Sequence, residues 1–299
     1  MIIDCHAHLD ARVLDVDRLA AKMDEHGIDR VVLMARITEN VEPEKSATLL
    51  AVQRQMMDSS LLRPVAALVS TTFYDADGAL RPMWRPFTAE RTGYVKAMRP
   101  DNESVAAALE LMPNRFWGWI FLNPKLDGDD AALYELERWR HIRGMVGLKV
   151  HPYWHHYPLT ALGPVAGRAE ELGLPLIIHL GFGGEGAYRW IINAFPRLKI
   201  IFAHAGMPFF RGLWPVVRDH RPAYIDVSSP HLSEAFVRRA VAAVGAPKVL
   251  YGTDSPYGFS TDDGTYDYGR VKGWVTRLPV SERDRALILG ENFLRLIDA

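Results

Sequence analysis

Residues Met1-Ile2-Ile3-Asp4-Cys5-His6-Ala7-His8 decide how the rest of the chain is read. Three apolar residues lead into two histidines placed two apart. In an extended strand, side chains at i and i+2 share a face. His6 and His8 therefore project together from the end of a strand whose start is buried. Neutral imidazole is a common ligand for zinc and its transition-series neighbours. The pair is either the beginning of a metal site or a structural pair with its hydrogen bonds satisfied. The choice depends on whether other strands deliver ligands to the same place.

Outward from this strand the chain alternates. Apolar runs start at Met1, Arg30, Arg115, Met145, Leu174, Leu198, Ala223 and Lys248, and helical patterns separate them. A short, continuously apolar run such as Val31-Val32-Leu33-Met34 is the pattern of a strand buried on both faces. Helices are expected over 16–25, closed by Gly27, and over 43–57, with Pro43 in the first turn. Others are expected over 129–141, 159–172, 188–195, 212–220, 233–244 (capped by Ser233), 267–276 and 281–297. One stretch breaks the period. Residues 63–69 could form a strand, and 70–99 mixes proline, glycine and aromatics. The region at about 63–100 reads as an insertion after strand two, serving as a lid, an interface between copies, or a packed surface loop. Eight strands alternating with helices predict an α/β fold, a (β/α)₈ barrel, as one domain over residues 1–299. A doubly wound open sheet is the rival, but no glycine-rich fingerprint follows an early strand.

Composition narrows the function. The net charge is −1, from 35 basic and 36 acidic residues. That balance offers nucleic acid or a membrane surface no electrostatic hold. Cys5 is the one cysteine, so an internal disulfide is excluded and a reducing compartment fits. No apolar run reaches the ~20 residues of a membrane span. The chain opens without a basic-then-apolar secretion signal. A cytoplasmic protein acting on a small molecule is expected, with a homodimer as a possible assembly.

A barrel places its chemistry at the C-terminal ends of its strands. Strand one ends at His6-Ala-His8, strand four at Lys149-Val-His151, strand five at His179, strand six at His204 and strand eight at Asp254. A buried strand end has no structural need of a histidine. His6, His8, His179 and Asp254 together offer nitrogen and oxygen ligands without thiolate, which suits one Zn²⁺ or a similar divalent ion such as Mn²⁺. Cys5 alternates away from His6 and reads as a packing residue. Asp4 shares the face of His6 one step deeper and reads as a supporting group. His204 and Asp254 are the candidate catalytic pair, able to exchange protons with a metal-activated water. His204 as a further metal ligand is the alternative. Lys149 is open to three readings: a cation for a substrate carboxylate, which ranks first, a structural ion-pair partner, or a carboxylated bridge to a second metal. His151 shares its face nearer the mouth, and Arg36, just past strand two, is either another candidate for binding an anion or a solvated arginine. Trp154, His155, His156 and Tyr157 follow, read either as residues lining an entrance or as an aromatic-rich surface loop.

These motifs resemble the amidohydrolase superfamily. The resemblance rests on Asp4-Cys-His6-Ala-His8, Gly147-Leu-Lys-Val-His151-Pro, His179, Ala203-His204-Ala-Gly206 and Gly252-Thr-Asp254-Ser-Pro256. Its closing helix is similar to Ile288-Leu-Gly-Glu-Asn-Phe-Leu-Arg-Leu-Ile297. The nearest branch is that of predicted metal-dependent hydrolases of the TIM-barrel fold. The resemblance implies a metal held by His6, His8, His179 and Asp254, with His204 catalytic. It places Lys149 where two-metal members carry a carboxylated lysine. It leaves the reaction open between hydrolysis and non-oxidative decarboxylation. The expected activity is hydrolysis of an amide, ester or lactone in a small, anionic substrate. The second expectation is decarboxylation of an aromatic or unsaturated acid. A barrel that binds without catalysis is a third, and the intact ligand set speaks against it.

Overall fold

The structure, a computed structural model, describes residues 1–36, 99–155, 157–181, 184–220, 222–229, 231–257, 259 and 266–298, with positions 52, 55, 56, 59, 61 and 62. The expected helix 43–57, strand 63–69 and insertion 70–99 lie outside these residues, apart from those single positions.

Eight parallel strands follow one another around a sheet in sequence order. They are β1 (Ile3–Leu9), β2 (Arg30–Ala35), β3 (Phe116–Leu122), β4 (Met145–Val150), β5 (Leu176–Ile178), β6 (Ile200–Phe202), β7 (Ala223–Asp226) and β8 (Val249–Leu250). Between them run α1 (Val16–His26), α2 (Asn102–Leu111), α3 (Pro124–Trp139), α4 (Gly163–Leu172), α5 (Tyr188–Ala194), α6 (Phe210–Asp219) and α7 (Glu234–Val244). β8 returns to β1 through backbone bonds: Cys5 N donates to Tyr251 O at 3.0 Å, Asp254 N to His6 O at 2.7 Å and His8 N to Ser255 O at 2.6 Å. The sheet is thus nearly closed into the expected (β/α)₈ barrel. Two apolar layers hold it. Cys5, Val32, Met34, Trp119, Ile177, Ile201, Leu250 and Phe293 fill the inside. A larger cluster packs the outer strand faces against the helices.

Local sequence explains the helix ends. Asp15 caps α1 by accepting from Arg18 N, and Gly27 closes it in the left-handed conformation at φ 60°. Ser233 caps α7 as expected, accepting from Phe236 N. α2 was not expected. Its signal is Asp101, which accepts from Ser104 N at 3.0 Å and Ser104 Oγ at 2.6 Å. Directly after the cap, the Asn102 amide bonds both Phe121 N and Phe121 O at 2.9 Å. It takes the ladder position that β2 vacates, since the β2–β3 register ends at Leu33–Gly118.

Three strand ends differ from expectation. β5, β6 and β8 stop before His179, His204 and Asp254. His204 (φ 54°), Ala205 (φ 55°) and Asp254 (φ 64°) are left-handed, so the chain leaves regular strand geometry at two of these three ends. The expected closing helix is present, Glu282–Ala286 and Asn292–Asp298 running on through a π-turn at Leu287–Glu291. There Ile288 O accepts from Tyr251 N at 2.9 Å, and Asn292 donates to Ala246 O and Val249 O at 2.8 Å, which fastens the end of the chain beneath β8. No described helix is long and apolar enough to cross a membrane.

Gly147 shows how tightly the barrel wall is built. A Cβ there would lie 2.5 Å from Trp119 Cζ3 and 2.6 Å from the Pro175 carbonyl oxygen. The carbonyl is backbone and cannot swing aside. Gly147→Ala is expected to cost about 1–3 kcal/mol. A calorimetric scan would show this as a Tm several degrees lower; an unchanged Tm would mean the wall yields at that point.

Candidate metal centre

The centre is built on the end of β1. A register shift between Asp4 and Ala7 bends the strand there. His6 and His8 are both buried, with ring centroids 5.7 Å apart. His6 Nδ1 lies 2.9 Å from Asp226 Oδ2, and His8 Nδ1 lies 3.1 Å from the Ala35 carbonyl. A carboxylate and a carbonyl can only accept, so each Nδ1 carries its proton and each Nε2 presents a lone pair. Both Nε2 atoms point at Asp254 Oδ1, from 3.4 Å and 3.5 Å. The ligand atoms of His6, His8 and Asp254 all lie within 4.8 Å of one another. His6 Nε2 is buried with no hydrogen-bond partner. Two lone pairs and a carboxylate oxygen converging without a proton between them fit a divalent cation.

His179 reaches the same chamber by a different route. Its ring is stacked on His151 at 4.0 Å and on Tyr153 at 5.9 Å, and it meets His204 edge-on at 4.5 Å. Its Nδ1 lies 3.1 Å from Leu180 O, which leaves Nε2 available. It does not belong to the tightest ligand groups among the described residues. Those are His6, His8 and Asp254, and His6, His204 and Asp226.

Asp226 is the main residue the sequence reading missed. It ends β7, so the rule applied to the other strand ends would have found it. Fully buried, it accepts from His6 Nδ1, from His204 N and Ser228 N at 3.0 Å each, and from Ser228 Oγ at 2.5 Å. Burial pushes its carboxyl up, and the His6 and His204 imidazoles and Ser228 outweigh this, holding it below the ordinary carboxylate range. Asp254 is likewise held ionised: burial raises it, but His204, His8 and His6 lower it further.

Burial favours the neutral form of His8, His151, His179 and His204. Burial draws His204 down to about 4, and burial with neighbouring cations draws His151 and His179 well below their ordinary value. Neutral rings are the form that binds metal. Lys149 is also fully buried, and its Nζ has no hydrogen-bond partner. Burial lowers it to about 8 against the pull of Asp226 and Asp254. Arg36 directly follows the residue that orients His8, and its Nε is buried without a partner.

A second layer supports these groups. Asp4 accepts from His6 N and Thr253 N at 3.0 Å, Thr253 Oγ1 at 2.5 Å and Tyr268 OH at 2.6 Å, tying β1 to the turn that carries Asp254. Cys5 is buried in the inner core as a free thiol. Asp10 accepts from Arg12 and from Tyr257, whose ring lies 5.2 Å from that of His8. His155 and Tyr157, expected at an entrance loop, are buried instead. The short helical turn Pro152–His155 folds the loop inward, so that His155 packs 5.5 Å from Phe121. His156 and the side chain of Trp154 lie outside the described residues.

Fold and site together define a barrel enzyme with a histidine–carboxylate centre at the C-terminal mouth. A family model described as amidohydrolase matches residues 3–298. The chain belongs to that family. It is 24% identical over 325 residues to a gamma-resorcylate decarboxylase of Polaromonas sp. (strain JS666 / ATCC BAA-500), covering 94% of this chain and 86% of that protein. Its fold is similar to that of 2,6-dihydroxybenzoate decarboxylase in complex with 2,6-dihydroxybenzoate, with a TM-score of 0.61, 18% identity, and 100% and 99% of the two chains covered. It is also similar to a dihydroxybenzoic acid decarboxylase from Polaromonas sp. JS666 with bound manganese and the inhibitor 2-nitroresorcinol, with a TM-score of 0.56, 17% identity, and 99% and 96% covered.

These relatives correct the expectation that the chain hydrolyses an amide, ester or lactone: all three are named as decarboxylases. The physical reason for the error is that both reactions begin with a metal polarising a substrate oxygen. The same ligands at the same strand ends serve either one, and the motifs do not distinguish them.

Proposed function

We propose that this protein is a divalent-metal-dependent, non-oxidative decarboxylase of an aromatic acid bearing a ring hydroxyl. The carrying observation is the convergence of His6 Nε2, His8 Nε2 and Asp254 Oδ1, with the buried Lys149 amine, which has no hydrogen-bond partner, near enough to feel Asp226 and Asp254. The relatives' reactions supply the direction. His6, His8, His179 and Asp254 would hold the ion. Manganese, as in the relative's structure, and zinc, which suits nitrogen and oxygen ligands, are the two ions to test. When bound, the metal supplies a Lewis acid for substrate oxygens.

The chain's own residues then have three tasks. Lys149 and Arg36 bind the anionic substrate, with His151 beside them on the wall. Both cations are short of partners until a carboxylate or phenolate arrives. The buried walls exclude water, which strengthens each of these contacts. His204 and Asp254 move the proton. A proton adds to the ring carbon that carries the carboxylate, the carbon–carbon bond breaks, its electron pair restores the ring, and CO₂ leaves.

Protein loaded with manganese or zinc is expected to release CO₂ from 2,6-dihydroxybenzoate or another member of a hydroxybenzoate panel. Chelation should abolish the release, and added metal should restore it. Silence across the panel with stoichiometric metal bound would refute the assignment.

A further inference from the structure

A neutral imidazole has one nitrogen that carries a proton and one that can take a proton from substrate. For His204 the surrounding hydrogen bonds decide which is which. Asp226 Oδ2 receives the His6 Nδ1 proton at 2.9 Å, and Asp226 Oδ1 lies 2.5 Å from Ser228 Oγ. A carboxylate has no proton to give, so the Ser228 hydroxyl donates to Oδ1. Ser228 Oγ is then left with lone pairs alone. His204 Nδ1 lies 2.9 Å from that oxygen and 3.3 Å from Ser228 O, and both can only accept. Nδ1 must be the donor. The opposite tautomer would set two lone pairs against each other in a buried site, with no proton between them.

We propose that Ser228 is a positioning residue that holds His204 with its proton on Nδ1, so that Nε2 alone exchanges protons in the chamber. Its kinetic consequence rests on the decarboxylase reading; the tautomer does not. A proton taken up at Nε2 leaves again from Nε2, and the Nδ1 proton stays throughout. Asp226 thereby serves His6 directly and His204 through one hydroxyl. That division of labour follows from the stretch Asp226-Val227-Ser228, which begins at the last residue of β7 and sets two buried polar side chains two apart.

The test uses zinc-loaded, ¹⁵N-histidine-labelled protein, with the His204 signals identified by their loss in His204→Asn. His204 is expected to show a protonated Nδ1 and an unprotonated Nε2. Ser228→Ala is expected to mix the two tautomers and to lower kcat by about 10- to 100-fold, with KM and zinc content unchanged. Ser228→Thr, which keeps the hydroxyl, should restore both. A proton on Nε2 in the unaltered protein would overturn the proposal, whatever the activity. So would a Ser228→Ala protein with an unchanged tautomer and a kcat within about twofold of the parent. If no substrate is found, the spectra still decide the tautomer, so the two readings fail separately.

Discussion

Exchanging Asp254 for asparagine is expected to lower kcat by at least about 10³-fold while the barrel stays folded. Asp254 Oδ1 is the anionic member of the convergent set, 3.4 Å and 3.5 Å from the Nε2 atoms of His6 and His8. Without it, a divalent ion would meet neutral imidazoles and the nearby Lys149 cation. Metal polarisation is worth several kcal/mol, and about 1.4 kcal/mol is a factor of ten in rate. Asparagine is the clean probe for a backbone reason. Residue 254 sits at φ 64°, and asparagine tolerates that left-handed conformation where most side chains are strained. Its amide also keeps the volume of the side chain. Elemental analysis should show metal content falling with activity, and calorimetry should show little change in Tm. Full metal content with undiminished turnover would remove Asp254 from the site.

Asp226→Ala should instead damage fold and function together. The substitution strands the Ser228 hydroxyl, the His6 Nδ1–H and the backbone N–H groups of His204 and Ser228, all buried. Breaking a buried charged network of this kind costs about 3–5 kcal/mol. At roughly 2 °C of Tm per kcal/mol for a large domain, that is a fall of about 6–10 °C. Losing the orienting partner of His6, a proposed metal ligand, should cost a further factor of about 10 to 100 in turnover. The pH dependence has a definite sign. The folded Asp226 carboxyl is held below its ordinary value. Its contribution is therefore complete above the unfolded pKa of about 4 and is lost as pH falls toward the folded one. The stability gap between parent and variant should be level from neutral pH to about 5 and narrow below about 4. A gap that widens in acid, or a Tm within a degree or so of the parent, would show that Asp226 is not the anchor described.

The barrel was legible because its signal is repeated and local. Each strand is a short apolar run, each helix carries its period and its caps, and the order of runs leaves few topologies. α2 escaped because its register is set by Asp101 and Asn102, and Asn102 answers to Phe121, a residue distant in sequence. The hydrolase reading failed because shared ligands cannot tell two metal-dependent reactions apart. The relatives, named as decarboxylases, speak against hydrolysis.

By itself, the opening strand determined that two imidazoles share a face, and the apolar runs determined that they lie at the mouth of a barrel. Periodicity and spacing are properties of neighbouring residues, so one dimension suffices to read them. Only the tertiary structure decided which nitrogens are free. His6 turns Nε2 inward because Asp226, far along the chain, accepts the hydrogen bond from its Nδ1–H; His8 does so because the Ala35 carbonyl accepts from its Nδ1–H. Asp254 joins them because a left-handed turn, tied through Thr253 to Asp4, lifts it over the end of β1. His6 and His8 thus begin as a pair on a strand and become a convergent pair of free Nε2 atoms through hydrogen bonds that the folded chain alone brings together.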